Sequence, residues 1–203
     1  MFALVQDGSI TKTLSGNRGI TLGGIQYPRA IYTLWSAAEK EAIGIYEVVF
    51  DNTNKKDEAY YINTDQSFNF ADGVVTASYG SATPKELADR NATDDEGAEL
   101  DPVIVIEGLK TKHKRIIKQQ ASGLLTPTDW YVIKATDVES YSVPSAITTF
   151  RANVRTKSND MEVLIDACST VDELAALYEY VNTGTEENPV MERPLGEFPT
   201  LES

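Results

Sequence analysis

The chain has one cysteine, Cys168, and one histidine, His113, among 203 residues. A lone cysteine excludes an internal disulfide. A single histidine with one distant cysteine does not make a zinc-ligand set. Basic residues are also scarce, 18 Lys and Arg against 31 Asp and Glu, which leaves a formal net charge of -13. Phosphate recognition needs clustered Lys and Arg, so nucleic acid and anionic membranes are disfavoured as partners. No apolar run approaches the roughly 20 residues that cross a bilayer. The opening MFALVQDGSITK lacks the basic and long apolar regions of a signal peptide. The expectation is a protein made in the cytoplasm, and used there or released by lysis. The nucleotide-binding patterns G-x-x-x-x-G-K and G-x-G-x-x-G are missing, as is the hydrolase elbow G-x-S-x-G.

What is present divides into unlike halves, and the expected class is α+β, a β-rich domain followed by a helical hairpin or bundle. Residues 1–90 read as the β-rich domain. Asp7-Gly8 and Asp72-Gly73 each sit between strand-like runs and signal tight hairpins. Ser36 and Glu39 have capping-box spacing at the start of a short helix, and Gly44 suits its C-terminal end. PKELADR, 84–90, reads as a further short helix. Residues 91–101, NATDDEGAELD, are acidic and poor in apolar side chains, and read as an acidic linker or exposed loop.

Residues 102–181 read as the helical domain. Asp101-Pro102 resembles an N-cap with proline at the first helical position, and predicts a helix to about Ser122. A second long helix is expected from Ser142, with Pro144 in its first turn. Its apolar positions Ile147, Phe150, Val154, Met161, Leu164 and Cys168 follow heptad spacing, with Lys157 at the one skipped place. Thr170 and Glu173 form a second capping box and open a third helix, 171–181. Between the long helices lies LLTPTDWYVIKA, 124–135. Pro127 ends the first helix, and Trp130, Val132 and Ile133 are expected to bury in the joint, with Tyr131 beside them. Residues 182–203 carry three prolines and several glutamates, and are expected to be extended unless something docks them.

Candidate chemistry is thin. His113 lies in the basic run KTKHKRIIK, 110–118, where positive neighbours favour its neutral form. That run reads as a solvated face pairing with nearby carboxylates rather than as a nucleic-acid patch. Cys168 falls on the apolar side of its helix, where a thiol is usually inert. Asp94, Asp95, Glu96, Glu99 and Asp101 lack the alternation of a calcium loop. No catalytic residue, cofactor or metal is expected.

Two segments resemble proteins of bacteriophage tails. In QYPRAIYTLWSAAEKEAIGIYEVVFD, 26–51, the matching residues are Tyr27, Pro28, Leu34, Glu39, Ala42, Gly44 and Ile45. Arg29-Ala30-Ile31-Tyr32 stands where Asn and Trp are commoner. The segment 109–155 is similar to the C-terminal helical region of tail-fibre-associated and tail-assembly-chaperone-like proteins. There Leu124, Leu125, Thr128, Asp129, Trp130, Val143, Pro144, Phe150, Arg151 and Arg155 match, and 163–178 continues the pattern. The resemblance covers roughly half the chain. It implies a non-enzymatic structural or interaction protein of the distal tail: baseplate, tail fibre or fibre attachment. The alternative is an assembly chaperone absent from the finished virion. A cell-wall hydrolase, from a different class, has no motif in its support. The expected partners are other tail proteins or further copies of the chain. The residues expected to carry structure or contact are Trp130, Tyr131, Phe150, Val154, Met161 and Leu164.

Overall fold

A computed structural model describes residues 1–201. The fold is α+β, with a β-rich N-terminal half and a helical C-terminal region. Contacts divide the chain into Met1–Thr83 and Pro84–Ser203.

The N-terminal unit is built on β1 (Phe2–Gln6), β2 (Ser9–Leu14), β5 (Ile45–Asp51), β7 (Gln66–Ala71) and β8 (Val74–Tyr79), in the sheet order β2-β1-β5-β8-β7. Both expected hairpins form. Asp7 and Gly8 have φ of 50° and 74°, and Asp72 and Gly73 have 51° and 77°. This pair of positive φ values matches the right-handed twist of the strands they join. All pairings are antiparallel except β5 with β8, where Val48 lies opposite Val75. β2 and β7, the two ends of the order, come back into contact, so the sheet curls.

Strand alternation then separates two cores. Ala3, Val5, Val48, Val75 and Ala77 meet on one face, with Tyr46, Phe68 and Phe70 around them. Leu4, Leu14 and Ile45 point the other way, onto Ile31 and Tyr32. The latter two come from α1 (Ile31–Leu34), a one-turn helix the sequence reading did not anticipate. It follows the small ribbon of β3 (Ile20–Leu22) and β4 (Ile25–Tyr27). α2 (Ala37–Glu41) starts at the expected box: Glu39 N–H donates to Ser36 Oγ at 3.3 Å, and Ser36 N–H to Glu39 Oε2 at 2.8 Å. Gly44 ends that turn at φ +80°. A Cβ there would lie 2.6 Å from the Val5 carbonyl oxygen, so only glycine fits. The run 59–63 contributes β6 (Tyr61–Ile62), and β9 (Thr83–Pro84) stands at the unit boundary.

The C-terminal unit departs from expectation at its start. PKELADR forms no helix. Its last residue opens β10 (Arg90–Asn91), which pairs with β11 (Val105–Ile106). The stretch 91–101 is the bend of this ribbon rather than a linker. Thr93 bridges Glu99, and Asp94 accepts from the N–H groups of Glu96 and Ala98. The first long helix, α3 (Leu109–Leu125), begins seven residues later than Pro102, with Gly108 as N-cap. The competing signal is Val103-Ile104-Val105-Ile106, four β-branched residues that favour a pleated strand over a helix. Gly108 N–H donates to Asp89 Oδ1 at 2.7 Å, which holds that carboxyl below its ordinary pKa.

A 3-10 turn (Thr126–Thr128) leads into α4 (Asp129–Asp137), and then comes α5 (Ser145–Ala167), with Pro144 as N-cap rather than inside the first turn. α3 packs along α5. The buried seam of α5 is Ile147, Phe150, Val154, Ser158, Met161, Ile165 and, just past its end, Cys168. Ser158, not Lys157, takes the skipped place, and Ile165, fully buried, takes the place expected of Leu164, which is 37 % exposed. A step of four residues replaces a step of three after Val154. The 3.6-residue turn of a straight helix drifts in this direction from a strict heptad.

α6 (Val171–Ala176) opens at its capping box but stops five residues short of Val181. Val181–Asn182 instead forms β12, which pairs with β13 (Met191–Glu192). The chain after β13 docks on its own unit. Leu195 is fully buried and its N–H donates to the Leu177 carbonyl at 3.0 Å. Phe198 packs on Ala121, Phe150 and Val154. The apolar stripe of α5 is therefore covered in part by the tail of the same chain. Glu202 and Ser203, the end of the expected extended tail, lie outside the described residues.

Candidate functional site

The joint between the long helices contains the one buried cation of the helical region, Arg151, among the described residues. The α5 turn that carries Phe150 and Val154 into the core also carries Arg151 inward, 9 % exposed. Its guanidinium reaches the preceding turn at three points. Nη1 donates to the Leu125 carbonyl at 3.0 Å and to Thr128 Oγ1, and Nη2 pairs with Asp129 Oδ1 at 2.8 Å. Thr128 is 3 % exposed and its hydroxyl donates to the Leu125 carbonyl at 2.7 Å. Pro127 has no N–H to continue the helical ladder, α3 gives way to the 3-10 turn, and Arg151 adds a charged donor to the Leu125 carbonyl where the two meet. A planar guanidinium presents several N–H groups in a fixed fork and suits this geometry, as an ammonium would not.

This latch displaces the expected role of Trp130. Trp130 is 50 % exposed, Val132 43 % and Ile133 61 %, and α4 has no buried residue. The joint is sealed by Thr128 and Arg151, not by the tryptophan. Trp130 instead stacks on Tyr131, with centroids 3.8 Å apart, and Lys134 lies over both the Trp130 ring and the Tyr141 ring. α4 thus exposes apolar and aromatic side chains to solvent.

Of the six residues expected to carry structure or contact, Phe150, Val154 and Met161 come together in the core, while Trp130, Tyr131 and Leu164 do not join them. Arg151 and Thr128 entered the sequence reading among the residues of the resemblance, with no buried role expected of either. The available signal was a lone arginine between Phe150 and Val154, on a stripe otherwise apolar. An open groove of about 470 Å³ beside the latch is lined by Ser122, Asp129, Arg151, Arg155 and Ser158 among others. Its charged groups are already paired or solvated: Arg155 donates to the Arg151 carbonyl at 3.3 Å.

The polar groups that the sequence reading weighed also have structural partners. His113 Nδ1 lies 2.7 Å from Tyr178 Oη, linking α3 to the turn after α6, and the rings stack at 4.9 Å. Burial lowers the pKa of His113; desolvation, rather than the positive neighbours, is the cause. Burial first, and the Glu173 charge second, raise the pKa of Cys168, whose thiol donates to the Leu164 carbonyl. Such a thiol is a poor nucleophile. The basic run pairs with carboxylates: Lys114 with Asp166 at 2.8 Å, Arg115 with Glu107 at 2.9 Å and Lys118 with Glu162 at 3.1 Å. In the acidic bend, Glu99 accepts from Asn91 at 2.8 Å. Among the described residues, no group of three or more His, Cys, Asp or Glu is placed to hold a metal ion, and no helix is long and apolar enough to cross a membrane.

No family model matches the chain, and neither a curated protein nor a solved structure matches it.

Proposed function

We propose that the chain is a non-enzymatic structural or interaction protein of the distal tail of a tailed bacteriophage, made in the host cytoplasm and carried in the virion. The observation that supports this reading is the convergence of the resembling residues. Leu125, Thr128 and Asp129 form one short turn, and Arg151, more than twenty residues later, meets all three in one latch. The latch shapes a joint, and the joint leaves Trp130, Val132 and Ile133 exposed. Three large apolar side chains exposed within four residues exceed the scattered single apolar residues of an ordinary surface and support a protein-contact role for α4. Its partners in this reading are other tail proteins, with neither nucleic acid nor membrane involved.

Mass spectrometry of purified particles tests the proposal. Stoichiometric presence in particles is the expected result. Abundance in infected cells with absence from particles would move the protein to the alternative, an assembly chaperone. Absence from both would overturn the phage reading.

A further inference from the structure

One long stretch of this acidic chain has no acidic residue. Between Asp7 and Glu39 there is neither Asp nor Glu, while Lys12, Arg18 and Arg29 all fall there. The fold brings two of these cations to one place. The loop 15–19 joins β2 to the ribbon of β3 and β4. With the end of β2 it closes a cleft of about 100 Å³, lined by Lys12, Thr13, Gly16, Arg18 and Tyr32 among others, none of them acidic. Among the described residues, neither Lys12 nor Arg18 has an ion pair or a side-chain hydrogen bond. Gly16 lets the loop approach closely. Its φ is +71°, and a Cβ there would lie 3.0 Å from the Phe2 ring and 3.4 Å from Tyr32 Cγ.

Tyr32 supplies an independent sign. It is 7 % exposed and packs with Leu4, Leu14, Ile31 and Ile45. A buried phenol usually finds a hydrogen-bond partner, yet among the described residues the Tyr32 hydroxyl has none. No side-chain polar atom of the described residues is both sealed from solvent and unbonded. The hydroxyl therefore reaches open space, and the cleft is the opening that Tyr32 lines. Burial raises its pKa, which keeps the phenol protonated as a donor. Lys40 adds a buried cation nearby. It is 7 % exposed, and its Nζ lies 5.1 Å from the centroid of the Phe2 ring, which packs on Tyr32 at 4.9 Å. Lys40 also has no ion pair among the described residues. A buried charge without a counter-charge is costly.

We propose that this cleft binds one phosphoryl group, either inorganic phosphate or the terminal phosphate of a monoester. Lys12 and Arg18 supply the charge, Arg18 through its planar fork, and Tyr32 Oη donates from the core side. The amides of Gly16, Asn17 and Arg18 bond to no protein group among the described residues, and add further donors. Ser15 is not a donor here, because its hydroxyl donates to Asn17 Oδ1 at 2.6 Å. The volume suits a single phosphoryl group and lies well below the roughly 300 Å³ at which pockets begin to enclose a larger molecule. The formal charge of -13 repels a polyanion at long range, so a nucleic-acid strand does not fit this site. A small oxyanion in the cleft also offsets the charge of Lys40.

Nuclear magnetic resonance titration of the full chain with sodium phosphate tests the proposal, at fixed pH and with ionic strength held constant by chloride. Saturable shifts are expected at the Gly16 and Asn17 amides and at Arg18 Nε–H, with none on adding chloride alone. Arg18→Gln and Lys12→Gln should each weaken binding about tenfold or more. Tyr32→Phe keeps the ring and removes a hydroxyl without a protein partner, so it should fold normally and bind several-fold more weakly. Lys55→Gln, a cation outside the cleft, should bind as the unaltered chain does. Glycerol phosphate separates the two sources. Binding as tight as that of phosphate assigns the cleft to a terminal phosphoryl group, and binding of phosphate alone assigns it to the free ion. Shifts that stay linear in phosphate overturn the proposal. So does saturable binding that Arg18→Gln and Tyr32→Phe both leave unchanged, or that Lys55→Gln weakens as much as they do.

Discussion

The two units of this chain hold their shapes by different kinds of contact. In Met1–Thr83 the signals that start and stop the elements are local: two Asp-Gly turns, one capping box and the left-handed Gly44 that ends its turn. In Pro84–Ser203 the decisive contacts are distant in sequence. Arg151 latches a turn more than twenty residues earlier, and Leu195 and Phe198 return from the end of the chain to cover the helices. The first unit is therefore robust wherever its turns are intact. The second depends on a few long-range anchors.

Substitutions sharpen this contrast. The largest effect is expected at Leu195, fully buried in the docked tail. Leu195→Ala should cost about 2–5 kcal/mol in chemical denaturation, lost from the helical signal. A loss below about 0.5 kcal/mol would show the tail to be dispensable. Next is Arg151→Met, which keeps the volume but takes the charged donor from the Leu125 carbonyl, still bonded to the Thr128 hydroxyl, and leaves the Thr128 oxygen without the donor Arg151 supplied. It should cost about 1–3 kcal/mol. Asp129→Asn removes only a half-exposed partner and should cost under about 1 kcal/mol. An inverted order would place the strength of the latch in its ion pair.

In the first unit, Gly44→Ala should cost at least about 1–2 kcal/mol through its left-handed backbone alone, with the close Val5 carbonyl adding to this. Trp130→Ala should change stability by no more than about 0.5 kcal/mol, because the ring lies on the surface. Loss of partner binding without loss of stability would mark α4 as a contact face.

The smallest effect concerns pH. Burial lowers the folded-state pKa of His113, so the unfolded chain binds a proton first as pH falls. Stability should therefore be full above the unfolded value near 6.5 and decline as pH drops through it, levelling below the folded value. His113→Phe should flatten this part of the pH profile measured by thermal melting.

The legibility of the sequence follows the same divide. Both Asp-Gly hairpins and both capping boxes were readable, since the residues that make them lie three or fewer positions apart. The heptad stripe on α5 was readable in outline, and its drift onto Ser158 and Ile165 was not. The start of α3 was misplaced because Asp101-Pro102 imitates a helix start while the four β-branched residues after it pair with β10. The candidate site was less legible still. Trp130 drew attention as the largest apolar side chain near the break, yet size does not say which way a helix faces.

By itself, the sequence determined the α+β division, the turns and the caps, because these follow from backbone preference and short-range hydrogen bonding. Only the tertiary structure decided what covers the α5 seam and that Arg151 rather than Trp130 seals the joint. Those outcomes depend on which distant groups compete to bury apolar surface and satisfy buried carbonyls, a competition that no local pattern records.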